Sequence, residues 1–169
     1  ADVDSNIIPD DDDTYDLGST SSKFAEVHAT TLYGDGSNLT GISLSSSRTS
    51  ANAATGSIAN NASANITIAA AKTYALLKIQ TSAAAWVTLY TDSTSRSNDS
   101  SRNETTDPTP GSGVIAEVIT TGAATQIMTP GLIGWNNDGT VSTNVYAKVV
   151  NKSGSTGAIT VTLHYVTIE

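Results

Sequence analysis

Along the second half of the chain, apolar and polar positions alternate. Ile66 and Ile68 have polar neighbours, and Ile159, Val161, Leu163 and Tyr165 are interleaved with Thr160, Thr162 and His164. A period of two sets one face of a strand on a core and the other toward water or a partner. This pattern predicts strands at 65–70, 74–81, 85–91, 114–120, 125–128, 144–151 and 158–168. Asn136-Asn137-Asp138-Gly139 reads as a turn. Ser153–Gly154, between the last two runs, predicts an antiparallel hairpin. The alanine runs at 69–71 and 83–85 are too short to be helices. Only 23–30, with Ser21 or Ser22 as cap, offers a helical turn or two. Many short strands over residues 65–169 predict an all-β fold, with a C-terminal antiparallel β-sandwich of jelly-roll type.

Two strands break the alternation. Tyr74 to Ile79 is apolar on both faces, as is Val114 to Ile119 apart from Glu117. Strands apolar on both faces are buried on both faces. Either these strands sit at the centre of a larger core, or other subunits cover them, as in closed symmetric oligomers.

Composition divides the chain. Residues 1–36 hold nine acids and one base, Lys23, which accounts for the whole net charge of −8. The remainder is neutral, with seven acids and seven bases. Such a step marks a module boundary. The expected organisation is an extended acidic shaft or attachment segment at 1–44 and a sandwich at 65–169. Between them, 45–64 is rich in Ser, Ala and Asn, and reads as a linker or a thin edge strand near 56–59. Ser and Thr number 48 and Asn 12 of 169 residues, a composition of soluble hydroxyls and strand-favouring threonine. The chain does not begin with Met, and reads as processed or as a piece of something longer.

Several classes are disfavoured. An acidic chain lacks the Lys and Arg that nucleic-acid affinity requires. No apolar run is long enough to insert in a membrane. With no cysteine there are no disulfides, thiolate metal sites or Cys nucleophiles. No Gly-x-Ser-x-Gly elbow, Gly-x-Gly-x-x-Gly fingerprint or P-loop occurs. No enzymatic activity and no cofactor are expected.

The N-terminal residues carry a resemblance. Asn6 to Asp10, Tyr15-Asp16-Leu17-Gly18-Ser19, Lys23-Phe24, and Leu32-Tyr33-Gly34-Asp35-Gly36-Ser37-Asn38-Leu39-Thr40-Gly41-Ile42 form a string. It resembles a module of bacteriophage fibre and virion structural proteins, especially of tailed phages of marine bacteria and cyanobacteria. In the second half, Tyr90-Thr91-Asp92, Arg96, Arg102, the run from Asp107 to Ile119 and residues 144–169 are similar to a C-terminal module of such proteins. The resemblance implies a non-enzymatic virion component at the tail, neck or capsid surface. It implies a homotrimer that meets other virion proteins through its N-terminal segment and has a knob able to touch a host surface. The residues agree in part: the glycines and Asn38 permit tight turns, and Leu39 and Ile42 are apolar anchors. Alone, such a thin segment cannot bury enough surface to offset its ordering entropy. A plain acidic tail with an ordinary turn is the alternative.

Candidate sites are few. Asp10–Asp13 is a carboxylate run, but consecutive Asp residues need not converge on one ion, and the spacing is not an EF-hand. No metal site is expected there. His28 and His164 lie in different modules without a carboxylate at ligand spacing, and read as surface or interface residues. Residues 93–113 form a long loop with Arg96, Asp99, Arg102, Glu104 and Asp107, whose alternating charges could tie it to itself or to a neighbouring subunit; an intersubunit clasp is the favoured reading. A glycan-binding or protein-binding loop is the rival reading. Trp86, Tyr90 and Trp135 could stack on sugar rings. Trp86 sits in an alternating strand and reads as core; Trp135, beside the Asn136–Asn137 turn, is the exposed candidate. A fibre or spike is therefore the leading expectation. A capsid decoration protein and a carbohydrate-binding module are its rivals.

Overall fold

The computed structural model describes residues 10–11, 17–31 and 47–169. They fall in two units, Ala1–Ser43 and Leu44–Glu169. In the first unit the described residues are exposed and form no helix or strand. Ser19 and Ser22 close a turn, with the Ser19 N–H donating to the Ser22 carbonyl at 2.8 Å. The expected helical turns at 23–30 are not there. The stretch has only Phe24 and Val27 as larger apolar anchors, and both are exposed, so no packed face supports a helix.

The second unit has strands β1 (Arg48–Ala54), β2 (Ser63–Ala69), β3 (Thr73–Thr81) and β4 (Ala85–Tyr90). Helix α1 (Ser93–Asn98) follows, then β5 (Val114–Ile119), β6 (Ala124–Trp135), β7 (Asn144–Asn151) and β8 (Thr160–Thr167). One four-stranded sheet has the order β1-β8-β3-β6 and the other β2-β7-β4-β5. Strands β1 and β8, β2 and β7, β3 and β6, and β4 and β5 pair antiparallel. That nested order is an antiparallel ribbon rolled into two sheets, the jelly-roll arrangement of a β-sandwich.

The core lies between the sheets and follows the period-two pattern. Tyr74, Leu76 and Ile79 of β3 meet Val161, Leu163 and Tyr165 of β8 from the first sheet. Ile66, Ile68, Val87, Leu89, Val145 and Val149 come from the second. Each buried aliphatic side chain of this kind contributes about 1.5–3 kcal/mol. Tyr74 and Tyr165 meet edge to face with centroids 5.8 Å apart. β3 is central in its sheet, between β8 and β6; it buries Tyr74, Leu76 and Ile79 on its inner face, while Ala75 and Leu77 on the outer face are only partly buried.

Three expectations need correction. The Ser153–Gly154 connection is not a hairpin: β7 and β8 belong to different sheets. Both strands have an inward apolar face, and alternation does not name the partner. The connection crosses the end of the sandwich, where buried Asn151 donates to the Ile58 and Ser155 carbonyls. The segment 45–64 holds an edge strand, but at Arg48–Ala54; 56–59 makes only a bridge from Ile58 to Gly157. The sandwich therefore begins well before residue 65. Finally, the run at 125–128 continues to Trp135 through a cis Thr129–Pro130 bond. Pro is tolerated there because β6 is an edge strand.

Candidate functional site

The segment after β4 folds back over the outer face of the second sheet. Asp92 starts it as the cap of α1, accepting from the Ser95 N–H at 2.7 Å and the Ser95 hydroxyl at 2.8 Å. Burial works against the Asp92 charge, but these bonds outweigh it and hold the carboxyl below its ordinary range. Arg96 lies over the Tyr146 ring at 5.0 Å and donates to the Ile66 carbonyl at 2.7 Å. The short helix is thereby tied to β2 and β7.

Beyond α1 the charges converge. Asp99 is buried and accepts from the Tyr90 hydroxyl at 2.6 Å and from Arg102 Nε at 2.9 Å. Arg102 Nη2 reaches Glu117 of β5 at 2.5 Å. Lys148 of β7 donates to the Asp99 backbone carbonyl at 2.7 Å. Trp86 takes Arg102 over its ring at 5.2 Å and Lys148 at 4.7 Å. Burial disfavours the Arg102 charge, yet hydrogen bonds to Glu117 and Asp99 raise its pKa above the usual guanidinium range. Burial lowers Lys148 despite the pull of Asp99. Burial, then the bond to Asp99, raises the Tyr90 hydroxyl well above its ordinary value. Two carboxylates thus face two cations and are consumed by them. This arrangement holds a loop down.

Of the predicted residues, Asp99 and Arg102 pair with each other within the chain, and Arg96 ties α1 down separately through Ile66 and Tyr146, so these residues form an intrachain clasp where an intersubunit one was expected. Glu104 stands at its rim, paired with Lys152 at 2.9 Å. Trp86 is buried, but on the outer face of its sheet under this loop, and not in the core. Tyr90 is fully buried and offers no ring to a sugar. Glu117, Lys148 and Tyr146 went unrecognised in the sequence. Their signal was a charge inside an apolar run, Glu117 within 114–119 and Lys148 within 145–150. A depression of about 440 Å³ lies between Asn61, Ser63 and the 100–105 loop.

Trp135 stands apart from the clasp. It is 49% exposed and lines a groove of about 500 Å³ with Pro108 to Val114, Thr91 and Asn137. The Thr91 N–H donates to the Gly113 carbonyl at 2.9 Å, and the Asn137 N–H to the Thr91 carbonyl at 2.8 Å. Both walls are thus pinned to the end of β4. Gly113 has φ of +76°, and a Cβ there would sit 2.3 Å from Ser95 Oγ.

In the N-terminal unit, Leu17, Gly18 and Phe24 are exposed. Tyr15, Asp16, Leu32, Tyr33, Gly34, Asp35, Gly36, Leu39 and Ile42 lie outside the described residues, as do Asp12 and Asp13. His28 does have a carboxylate neighbour, Glu26 at 2.9 Å, with both side chains exposed. His164 meets Gln80 at 3.3 Å on the outer face of the first sheet. Among the described residues no cluster of three or more His, Asp or Glu could hold a metal, and no helix is long and apolar enough to cross a membrane.

Comparison with protein-family models, with curated proteins and with solved structures gave no significant match.

Proposed function

We propose that this chain is a non-enzymatic virion structural protein, a homotrimeric fibre or spike whose jelly roll is the knob. The supporting observation is an asymmetry between the two outer faces. The second sheet is covered by its own loop. The first sheet is left bare along β6, an edge strand without one charged residue, where Ile127 is 62% and Ile133 50% exposed. Register places Ile133, Ala75 and Val166 in one row across the sheet. Edge strands are ordinarily blunted with charge, and an uncharged apolar row suits subunit contact. Trimeric order and the virion setting rest on the resemblance of the N-terminal string; jelly rolls serve capsids and lectins alike, and fold alone assigns no function.

The test is the solution mass of the chain by light scattering, beside an Ile127→Lys/Ile133→Lys variant. A mass near three chains, reduced in the variant while its melting is unchanged, supports the reading. A monomer overturns it and favours a decoration protein ordered by its lattice.

A further inference from the structure

We propose that the groove beside Trp135 is a binding site for a neutral sugar ring of an oligosaccharide. Four observations meet there. First, the Trp135 indole is half exposed at the end of β6. A wide aromatic face in water offers a stacking platform for the apolar C–H face of a pyranose. Second, Thr109, Ser112 and Asn137 add uncharged donors and acceptors along the same groove, matched to sugar hydroxyls. Third, no charged residue lines it. The ligand it fits is neutral, because no Lys or Arg stands in the groove to pair with an anion. Fourth, the walls are already fixed. The Thr91–Gly113 and Asn137–Thr91 backbone bonds hold the loop and the strand end together before any ligand arrives, and preorganisation lowers the ordering cost of binding.

The clasp explains why this part of the loop is available. Arg96, Asp99 and Arg102 are spent on α1 and the sheet. The uncharged Pro108–Gly113 stretch is the part left to form a wall. Gly134 next to Trp135 is also constrained: a Cβ there would fall 2.4 Å from the Tyr74 ring. The backbone that carries Trp135 is therefore seated directly on the core.

The experiment uses the full chain on an array of neutral and acidic oligosaccharides. A tryptophan-fluorescence titration with the best-bound neutral oligosaccharide follows. Trp135 and Trp86 are the only tryptophans, so Trp135→Phe assigns the signal. We expect neutral oligosaccharides to bind and shift the fluorescence. Trp135→Ala should weaken binding on the order of tenfold or more, and Asn137→Ala should weaken it less, with solution mass and melting unchanged in both. The proposal is overturned if nothing neutral binds, if binding survives Trp135→Ala, or if only acidic glycans bind. It is also overturned if Trp135→Ala lowers the solution mass, because Trp135 would then be an assembly residue. Loss of sugar binding leaves the oligomer reading untouched, since mass and binding are read separately.

Discussion

Arg102 lies over the indole of Trp86, with its guanidinium carbon 5.2 Å from the ring centroid, while its nitrogens bind Asp99 and Glu117. One side chain therefore covers an aromatic ring on the outer face of a sheet and binds two carboxylates, with Lys148 supplying the second positive charge. Its side chain is only 7% exposed. Removing it strands Asp99 in a buried setting and opens Trp86 to water. Arg102→Met should cost about 3–5 kcal/mol, the usual penalty for breaking a buried ion pair from one side. Urea unfolding measures this directly. A loss under about 1 kcal/mol would be the surface-pair result and would mean the clasp does not hold the loop.

Asn151 is fully buried where the chain crosses between the sheets. Its amide donates to the Ile58 and Ser155 carbonyls at 2.9 and 2.8 Å, and its side-chain oxygen accepts from the Ser153 N–H. Asn151→Ala leaves these partners in want of hydrogen bonds, at about 1–3 kcal/mol for each group that stays unsatisfied. Calorimetry should show a clear drop in Tm. Unchanged melting would mean that water replaces the amide without loss.

These two residues mark the limits of what the sequence revealed. Strand existence was plain where Ile66, Ile68, Val161 and Leu163 alternate cleanly and each alternate position is buried, but not at β1, whose small Ala, Ser and Asn side chains carry no such pattern. Strand partnership was not, because β7 and β8 look equally suited to each other and to their true partners, β2 and β1. Helix α1 was missed because its six residues contain no apolar side chain. The legible clue was Asp92 three residues before Ser95, an N-cap pattern. The charges of the clasp were visible in the loop, but their partners Trp86, Glu117 and Lys148 are distant in sequence. Only the fold brings them together.

Gly134→Ala tests how firmly β6 is seated. The added Cβ would fall 2.4 Å from Tyr74 Cζ, and Tyr74 is itself fully buried and packed on Tyr165. The ring has no room to retreat, so overpacking should cost about 1–3 kcal/mol. Chemical denaturation gives the value. A neutral substitution would show that β6 slides outward freely, which would also undermine a fixed wall at Trp135.

Acid should weaken the fold through two aspartates. Hydrogen bonds from Tyr146 and Asn136 hold Asp138 below the ordinary value of 3.8, against a smaller opposing effect of burial. Asp92 is lowered likewise by Ser95 and Thr91, despite burial. When the folded pKa is the lower one, the unfolded chain binds the proton first. Stability then falls as pH drops from the unfolded value through the folded one. Asp138→Asn should flatten the pH dependence of Tm below about pH 4, where free carboxyls titrate. An equal slope in wild type and variant would contradict the assignment.

At the alkaline end the sign reverses and the tyrosines decide. Burial raises Tyr74 and Tyr165 above the ordinary value of 10.0; burial, then the Asp99 bond, raises Tyr90; and the bond to Asp138, then burial, raises Tyr146. Above pH 10 the unfolded chain releases protons that the folded chain still holds. The folded state then binds more protons, so its stability falls as pH rises toward the folded values. Lys148 opposes this: its folded pKa lies below 10.5, so the cost of burying its charge is relieved as pH approaches that value. One lysine set against four tyrosines leaves a net loss. Tyrosinate absorbance and far-ultraviolet circular dichroism, followed together in an upward pH titration, separate the possibilities. These four tyrosines should ionise only as the sheets unfold, in a single coincident transition. Ionisation of all six tyrosines of the chain while the circular dichroism is intact would show that the core around Tyr74 and Tyr90 is open to solvent.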